Sequence, residues 1–247
     1  AVEWIIITGM IVGSLPFAHY LAMVRGGWRS LLNDPQVRWF LILAVGLVLL
    51  LIWHLMQTGL GFGEAVRQAS FNGVSIMTGT GYVSANFSAW GGFATTILLI
   101  VMFIGGCGGS TTCGIKVFRL QVLASTAKVQ ISRLLRPHAV VLAYYNKRPV
   151  SVEVMDSVMG FFYLFILGFV LIAIMLGMTG LDFVTALSGA ATSISNVGPG
   201  LGEVIGADGN FSTLPDSAKW IMSFAMLLGR LEIFTVLVML NPAFWQR

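Results

Sequence analysis

The chain has 247 residues, of which 57% are hydrophobic and only 10% are charged, and its formal net charge is +4. A soluble domain carries roughly 25% charged residues, so the composition predicts an integral membrane protein. The positive charges cluster between the apolar segments, as membrane topology requires, so we do not expect a nucleic-acid partner.

Five apolar segments approach the length of about 20 residues that a helix needs to cross a bilayer. They cover residues 4–24, 37–56, 93–104 with a continuation to 123, 154–178 and 219–240. The first has no basic leader and no cleavage site of a signal peptide. We therefore expect it to be an internal helix of a longer protein, and we predict five spanning helices in an all-α, multi-pass fold.

Basic residues indicate which connections face the cytoplasm. Arg25, Arg29 and Arg38 flank the first connection, residues 25–36. Another group surrounds the connection at residues 126–150: Lys116, Arg119, Lys128, Arg133, Arg136, Lys147 and Arg148. The other face carries only Arg67 and Lys219. The positive-inside rule places the two basic connections in the cytoplasm.

A glycine-containing segment occurs twice, at residues 75–83 and 192–200, with Gly81 and Gly198 117 residues apart. The same offset relates Val37 to Val154, where two spans begin. It predicts two repeats, residues 37–125 and 151–247, each with a span, a short re-entrant helix, a glycine segment and a second span. The re-entrant helices are expected at about 64–77 and 182–195. Glycines that only permit close helix packing are the alternative, which two copies in register make less favourable.

The two glycine segments suit a monovalent cation. Non-helical backbone at membrane depth must be buried or line a watery cavity, and the carbonyl end of a re-entrant helix carries the negative pole of its dipole. Glycine allows successive carbonyls to face one axis, where such rings replace the hydration shell of an ion. Neither segment has a carboxylate, which argues against a divalent-cation filter.

A glycine-rich run at residues 105–114 lies in the second span of the first repeat and has five glycines in ten residues. A helix should break there, because each glycine costs roughly 1 kcal/mol relative to alanine. The equivalent positions in the other repeat, 222–231, lack such a run but contain Arg230, which should lie at the same depth. An intramembrane arginine usually has a function. A structural pair with the nearby Glu232 is the alternative.

Three motifs together, residues 77–82, 195–200 and 105–114, resemble the Trk/Ktr/HKT superfamily of potassium transporters, and within it the bacterial TrkH branch. The resemblance implies four non-identical M1-P-M2 repeats, each with a re-entrant pore helix and an extended filter segment, around one pseudo-fourfold pore. Residues 1–24 would be the exit helix of the second repeat, and 37–125 and 151–247 the third and fourth. It also implies a homodimer in the bacterial inner membrane and a cytoplasmic nucleotide-binding regulatory subunit of the TrkA type.

Carried over by motif, the resemblance gives two sets of site residues. The filter would be Gly79, Thr80, Gly81, Asn196, Val197 and Gly198, with potassium held by the backbone of Thr80, Gly81, Val197 and Gly198. The gate, an intramembrane loop that blocks the ion path and is guarded by an arginine, would be Gly105, Gly106, Gly108, Gly109, Ser110, Gly114 and Arg230. No covalent cofactor is implied, and potassium is the transported ligand.

The filter departs from the TVGYG pattern of tetrameric channels at Asn196 and Pro199. Fewer identical carbonyl rings can form, so we predict that potassium and rubidium are preferred over sodium less strictly than in a fourfold-symmetric channel. Shortening the loop or removing Arg230 should raise ion flux.

Alternative functions remain open. A dimer of two-repeat subunits would also supply four filter segments, and secondary transporters also use re-entrant loops, although usually in inverted repeats. A non-transport scaffold would leave the glycine segments unexplained. Cys107 and Cys113 have no histidine or carboxylate at metal-ligand spacing, so we expect free thiols. Gly108-Gly109-Ser110 lacks the strand and helix of a nucleophile elbow, and no enzyme activity is predicted.

Overall fold

The computed structural model describes residues 1–27, 29–136, 141–146, 148–231, 233–240 and 242–245. These residues are mostly helical. The α-helices are α1 (Val2–Gly13), α2 (Phe17–Val24), α3 (Arg29–Asn33), α4 (Pro35–Gln57), α5 (Phe62–Met77), α6 (Gly92–Met102), α7 (Val117–Leu135), α8 (Val152–Met178), α9 (Phe183–Ser195), α10 (Asp216–Arg230), α11 (Ile233–Leu240) and α12 (Pro242–Trp245). One short hairpin, β1 (Tyr144–Tyr145) and β2 (Arg148–Pro149), pairs antiparallel with Tyr144 opposite Pro149.

The two predicted repeats begin in the same way. The entry helices α4 and α8 start at Pro35 and Val152, which are related by the 117-residue offset. Each start is capped by a side chain. Asp34 accepts a hydrogen bond from the Gln36 N–H, and Ser151 accepts one from the Val154 N–H. Such caps satisfy backbone donors that the first helical turn leaves free.

A short helix follows each entry helix, as predicted. α5 has 16 residues and α9 has 13. At 1.5 Å per residue they are about 24 Å and 20 Å long, shorter than the roughly 30 Å of a hydrocarbon core. The last nine residues of α5, from Ala69 to Met77, are buried, as are nearly all residues of α9 after Val184. The C-terminal part of each short helix is therefore enclosed by protein.

Fewer continuous spans occur than the five expected. Among the described residues, α4 and α8 are the two helices long and apolar enough to cross a membrane, and α1 with α2 could count as a third. The prediction of one continuous span over residues 4–24 is wrong, because α1 and α2 are bent by 96° at the intervening break. Pro16 lacks an N–H and disfavours helical angles at the preceding residue, which accounts for the break.

The other two expected spans are also divided. α6 and α7 flank the glycine-rich run, so the predicted helix break lies between them. In the region of residues 219–240, α10 ends at Arg230 and α11 begins at Ile233. Glu232 and Lys147, which entered the sequence predictions, lie outside the described residues.

Each repeat has its own hydrophobic core. The first is centred on α4, α5 and α6 and includes the fully buried Leu51 and Leu55, and the second is centred on α8, α9 and α10 and includes Leu176 and Ala190. The opposite faces of α4 and α8 are apolar and exposed, with Ile42 67% and Ile174 56% accessible. Such faces suit lipid or further membrane-embedded protein. The cores hold the short helices in place and thereby position the segments that follow them.

Candidate functional site

The two glycine segments have residues with positive φ at equivalent positions. Gly79 and Asn196, which are equivalent positions, both lie in the left-handed region with φ of 66° and 54°. Gly81 and Gly198 also have positive φ, 75° and 120°. Asparagine is one of the few residues other than glycine that adopts the left-handed region readily. The departure of Asn196 from a glycine pattern therefore leaves the local backbone conformation in place.

Matching hydrogen bonds fold each segment back onto its own short helix. The Thr80 N–H donates to the Ser75 carbonyl at 3.0 Å, and in the other repeat the Val197 N–H donates to the Thr192 carbonyl at the same distance. These donors and acceptors are related by the repeat offset. The preceding N–H groups also match, with Gly79 bonded to Ile76 at 3.1 Å and Asn196 to Ser193 at 3.2 Å.

The direction of these N–H groups fixes the direction of the carbonyls. In a planar trans peptide the N–H of one residue points opposite to the carbonyl of the residue before it. Because the N–H groups of Gly79 and Thr80 turn toward α5, the carbonyls of Thr78 and Gly79 turn away from it. The carbonyls of Ser195 and Asn196 turn away from α9 for the same reason. The geometry thus leaves a row of carbonyl oxygens on the side away from each helix.

The two glycine segments are in direct contact. A Cβ atom added at Gly81 would lie 2.2 Å from the Val197 carbonyl oxygen, and one added at Gly198 would lie 3.6 Å from the Gly81 Cα atom. A Cβ at Gly79 would lie 3.5 Å from the Asn196 carbonyl oxygen. The structure therefore brings together residues 79–81 and 196–198. The close approach at Gly81 requires glycine, which the shared motif indicated.

The environment of these segments favours a cation. α5 ends at Met77 and α9 at Ser195, immediately before the segments, so both helices present their negative dipole ends to them. The side-chain amide nitrogen of Asn196 donates to the Met226 carbonyl in α10 at 3.0 Å. This hydrogen bond joins the second glycine segment to α10. Partial negative charge at the segments comes from carbonyls and helix ends.

The glycine-rich run forms a loop that is closed at its base. The Gly105 N–H donates to the Ile115 carbonyl at 2.9 Å, and the Ile115 N–H donates to the Phe103 carbonyl at 2.8 Å. These bonds form a parallel bridge between Ile104 and Ile115. Residues 105–114 therefore leave the helical path and return to it at almost the same point. We call residues 105–114 the intramembrane loop.

Several loop glycines cannot carry a side chain. A Cβ at Gly105 would lie 2.0 Å from the Cys113 carbonyl oxygen, and one at Gly106 would lie 2.5 Å from the Thr112 hydroxyl. Gly109 and Gly114 have φ of 76° and 74°. Four of the five glycines are therefore required by close packing or by left-handed backbone angles, rather than by flexibility alone.

Arg230 contacts this loop from the other repeat. Its Nη1 atom donates to the Cys113 sulfur at 2.9 Å and to the Thr111 carbonyl at 3.3 Å. Lys116 holds the loop from its own side, since its ammonium group donates to the Thr112 carbonyl. A cavity of about 240 Å³ lies between the loop, Arg230 and Phe161. The sequence predicted the depth of Arg230, and the structure adds its contact with the loop.

The break between α1 and α2 also packs against the loop, and the sequence did not predict this contact. The Cys107 N–H donates to the Ser14 carbonyl at 3.0 Å, and the Thr111 hydroxyl donates to the Gly13 carbonyl at 3.0 Å. These carbonyls are available because the helix ends here. Pro16, inside an apolar segment, was the signal that could have indicated free backbone groups at this point.

Within the part of the chain that the structure describes, Cys107 and Cys113 are free thiols, and no cluster of three or more histidine, cysteine or acidic side chains could hold a metal ion. The predicted ion site rests on backbone oxygens instead.

Comparison with known proteins gives a consistent result. The family model of the TrkH cation transport protein matches residues 1–247. The Trk system potassium uptake protein TrkI of Halomonas elongata is 45% identical over 239 residues, which are 96% of this chain and 48% of that protein. TrkH of the same organism is 36% identical over 249 residues, 100% of this chain and 51% of that protein.

A solved structure is similar along almost the whole chain. The crystal structure of the potassium transporter TrkH from Vibrio parahaemolyticus superposes with a TM-score of 0.89 at 35% sequence identity, and the match covers 98% of this chain and 52% of that one. The chain thus spans about half the length of the relatives it matches.

Proposed function

The chain belongs to the TrkH family of cation transport proteins, and on that premise we propose that it supplies half of a potassium uptake pore. One observation carries this proposal: the two filter segments have matching positive-φ positions and matching hydrogen bonds at equivalent residues and touch each other at Gly81 and Val197. Membership in this family makes the chain a part of a membrane transporter rather than an enzyme.

The pore would be completed by two further filter segments. The relatives are about twice as long as this chain, which favours one four-repeat protein over a dimer of two-repeat subunits. The contact between the two segments would be one side of a pseudo-fourfold ring. The backbone of Thr80, Gly81, Val197 and Gly198 would hold potassium, because carbonyl oxygens can replace the hydration shell of a dehydrated monovalent ion.

Selectivity should be moderate. Pro199 follows Gly198 where Tyr82 follows Gly81, so the two repeats cannot present identical carbonyl rings above the shared glycine. The φ angles of Gly81 and Gly198 also differ, 75° against 120°. We expect potassium and rubidium to pass in preference to sodium, with less discrimination than a filter of four identical segments gives.

The experiment is a flux measurement on the full-length protein in proteoliposomes, with rubidium, potassium and sodium uptake compared in the same preparation. The proposal predicts similar rubidium and potassium uptake and clearly lower sodium uptake. Comparable sodium and rubidium fluxes would contradict it. Empty liposomes and liposomes with heat-denatured protein provide the background rate.

We also propose that the intramembrane loop is the gate and that Arg230 latches it. Gly229, the residue before Arg230, packs against the Ile194 carbonyl near the end of α9, and Arg230 reaches the loop from α10 through the Cys113 sulfur and the Thr111 carbonyl. A cation in this position adds an electrostatic barrier to the steric one, since like charges repel strongly where water is scarce. Release of the latch would let the loop move and ions pass.

The remaining assignments follow from family and charge. The basic connections at residues 25–36 and 126–150 would face the cytoplasm of a bacterial cell, with the chain in the inner membrane. A homodimer and a cytoplasmic nucleotide-binding subunit of the TrkA type are the proposed partners. The basic connections are the surfaces that such a cytoplasmic subunit would approach.

A further inference from the structure

The tip of the intramembrane loop, Gly108 and Gly109, is held by a hydrogen bond at each residue. The Gly108 N–H donates to the side-chain oxygen of Gln36 at 2.8 Å. The carbonyl of Gly109, which has φ of 76°, accepts from the Phe17 N–H at 3.1 Å. Gln36 and Phe17 both lie in the first turn of a helix, α4 and α2. The loop tip is thus hydrogen-bonded to residues in the first turns of two helices.

The two helix starts are tied to each other. The His19 Nε2 atom of α2 lies 2.7 Å from the Asp34 Oδ2 atom, and His19 Nδ1 lies 2.9 Å from the Ser30 hydroxyl. The second oxygen of Asp34 accepts the Gln36 N–H at 2.7 Å. Loop tip, α2 and the first turn of α4 therefore form a closed ring of hydrogen bonds, in which Gln36 contributes both its backbone and its side chain.

Gln36 has a third connection, to the hairpin. The side chain of Tyr145 in β1 lies next to the Gln36 side-chain amide. A glutamine amide has both an acceptor and donors, so one side chain can contact the loop and the hairpin at the same time. Burial and, to a lesser extent, the charge of Asp34 raise the pKa of Tyr145 to about 12. The hydroxyl therefore keeps its proton at neutral pH.

The hairpin itself is a short, firmly attached element. The Val150 N–H donates to the Ala143 carbonyl at 2.8 Å, and the Ser125 hydroxyl in α7 donates to the Tyr144 carbonyl at 3.1 Å. α7 in turn contacts the start of α4, since the Gln121 side-chain amide donates to the Pro35 carbonyl at 3.0 Å. A displacement of the hairpin therefore acts on the helix turn that carries Gln36.

We propose that Gln36 is a positioning residue of the gate, whose side chain couples the hairpin at Tyr145 to the loop tip at Gly108. The proposal rests on the proposed function, because it takes the intramembrane loop as the barrier to ions. The hairpin lies in the basic connection at residues 126–150, the surface we assign to the cytoplasm. Movement of the hairpin withdraws Tyr145 from Gln36, weakens the bond to Gly108 and frees the tip.

The test uses the full-length protein in proteoliposomes with Cys113 as its sole cysteine, and it measures two quantities. Rubidium flux reports the gate, and the rate at which a methanethiosulfonate reagent labels Cys113 reports loop movement. Gln36→Met keeps the length of the side chain but removes its hydrogen bond to the loop, and Gln36→Glu keeps an oxygen that accepts the Gly108 N–H. Gln57→Met is the matched control, because Gln57 is an exposed glutamine at the other end of α4.

Gln36→Met should raise both labelling and flux about fivefold, which corresponds to the loss of one hydrogen bond of about 1 kcal/mol. Gln36→Glu should stay near the parent protein. Tyr145→Phe should give a smaller increase and add nothing when combined with Gln36→Met, because the hydroxyl acts through Gln36. A merely structural role would lower the thermal midpoint without changing the labelling rate of the folded protein.

Two results separate this inference from the function it rests on. If Gln36→Met labels and conducts like Gln57→Met, Gln36 does not position the loop and the inference is overturned. If labelling rises while flux stays constant, the loop moves but is not the barrier, which overturns the proposed gate. Full additivity of Tyr145→Phe and Gln36→Met would overturn the coupling through Gln36.

Discussion

The two repeats agree up to the filter and differ after it. α4 and α8 start at equivalent residues, and α5 and α9 end within one residue of the repeat offset. The glycine segments have positive φ at equivalent residues. Beyond this point the first repeat has the intramembrane loop between α6 and α7, whereas the second has the helix α10, which ends at Arg230. We call the part of each repeat up to its glycine segment the shared half, which is suited to coordinating an ion. The part beyond it is the unshared half, which is suited to controlling the passage of the ion.

The two unshared parts fit each other. Cys113 and Arg230 are equivalent positions, 117 residues apart, and they are also in contact at 2.9 Å. The five glycines of the first repeat free the backbone from the helix, and the second repeat stays helical as far as Arg230, which offers a long cationic side chain. The asymmetry is therefore complementary, since each repeat supplies what the other lacks at the same depth.

The largest expected effect tests the shared half. Gly81→Ala should lower potassium flux at least tenfold, because left-handed angles cost a residue with a Cβ about 1–2 kcal/mol and this Cβ would also lie 2.2 Å from the Val197 carbonyl oxygen. Gly198→Ala should also lower flux, because a residue with a Cβ rarely adopts its φ of 120°, although the added Cβ would meet only the Gly81 Cα atom at 3.6 Å. Uptake by reconstituted protein measures both.

The matched control for these variants is Gly177→Ala, because nothing lies within 4 Å of a Cβ at this position in α8. Its flux should equal that of the parent protein. If Gly81→Ala kept full flux and selectivity, the two filter segments would not require the close approach seen at Gly81.

A smaller effect tests a difference in how the two short helices begin. α9 is capped by the Asp182 carboxylate, which accepts from the Thr185 N–H at 3.1 Å, whereas α5 has no side-chain cap. Asp182→Ala should lower stability by about 1 kcal/mol, and Asp182→Asn should lower it less, because its amide oxygen can still accept but carries no charge. Thermal unfolding in detergent measures the difference.

This effect should also depend on pH. Hydrogen bonds from Thr185 hold the pKa of Asp182 below its usual range. The stabilisation is therefore fully present above the ordinary carboxyl pKa and is lost as the pH falls through the lowered value. A constant difference between Asp182→Ala and the parent protein at all pH values would show that the carboxylate is not the cap.

Much of the shared half could be predicted from the sequence. The spacing of Gly81 and Gly198, repeated between Val37 and Val154, was enough to predict the entry helices and the two short helices. Local patterns carry this information, because apolar length and glycine position act within one element. The helix break at residues 105–114 was predictable for the same reason.

The contacts between elements could not be predicted in this way. The packing of Ser14 on Cys107 and the hydrogen bond between Gln36 and Gly108 join residues that are distant in sequence, and no periodicity marks them. The left-handed conformation of Asn196 is likewise not marked by any periodicity. The bend of 96° between α1 and α2 was indicated only by Pro16, whereas the apolar composition of the segment favoured one continuous span. These contacts are where the two repeats cease to be alike.

The most direct test of this division is the effect of Arg230→Ala on flux and on the potassium-to-sodium ratio, measured together in proteoliposomes of the full-length protein. Lys219→Ala is the matched control, because Lys219 is a cation of the same helix that pairs with Asp216 at 3.1 Å and does not contact the loop.

The account predicts that Arg230→Ala raises rubidium flux about tenfold, as the loss of a charged hydrogen bond of about 1.5 kcal/mol would, with the potassium-to-sodium ratio unchanged. Unchanged or lower rubidium flux in the folded variant would contradict the separation of filter and gate. A lower potassium-to-sodium ratio in this variant would contradict it as well.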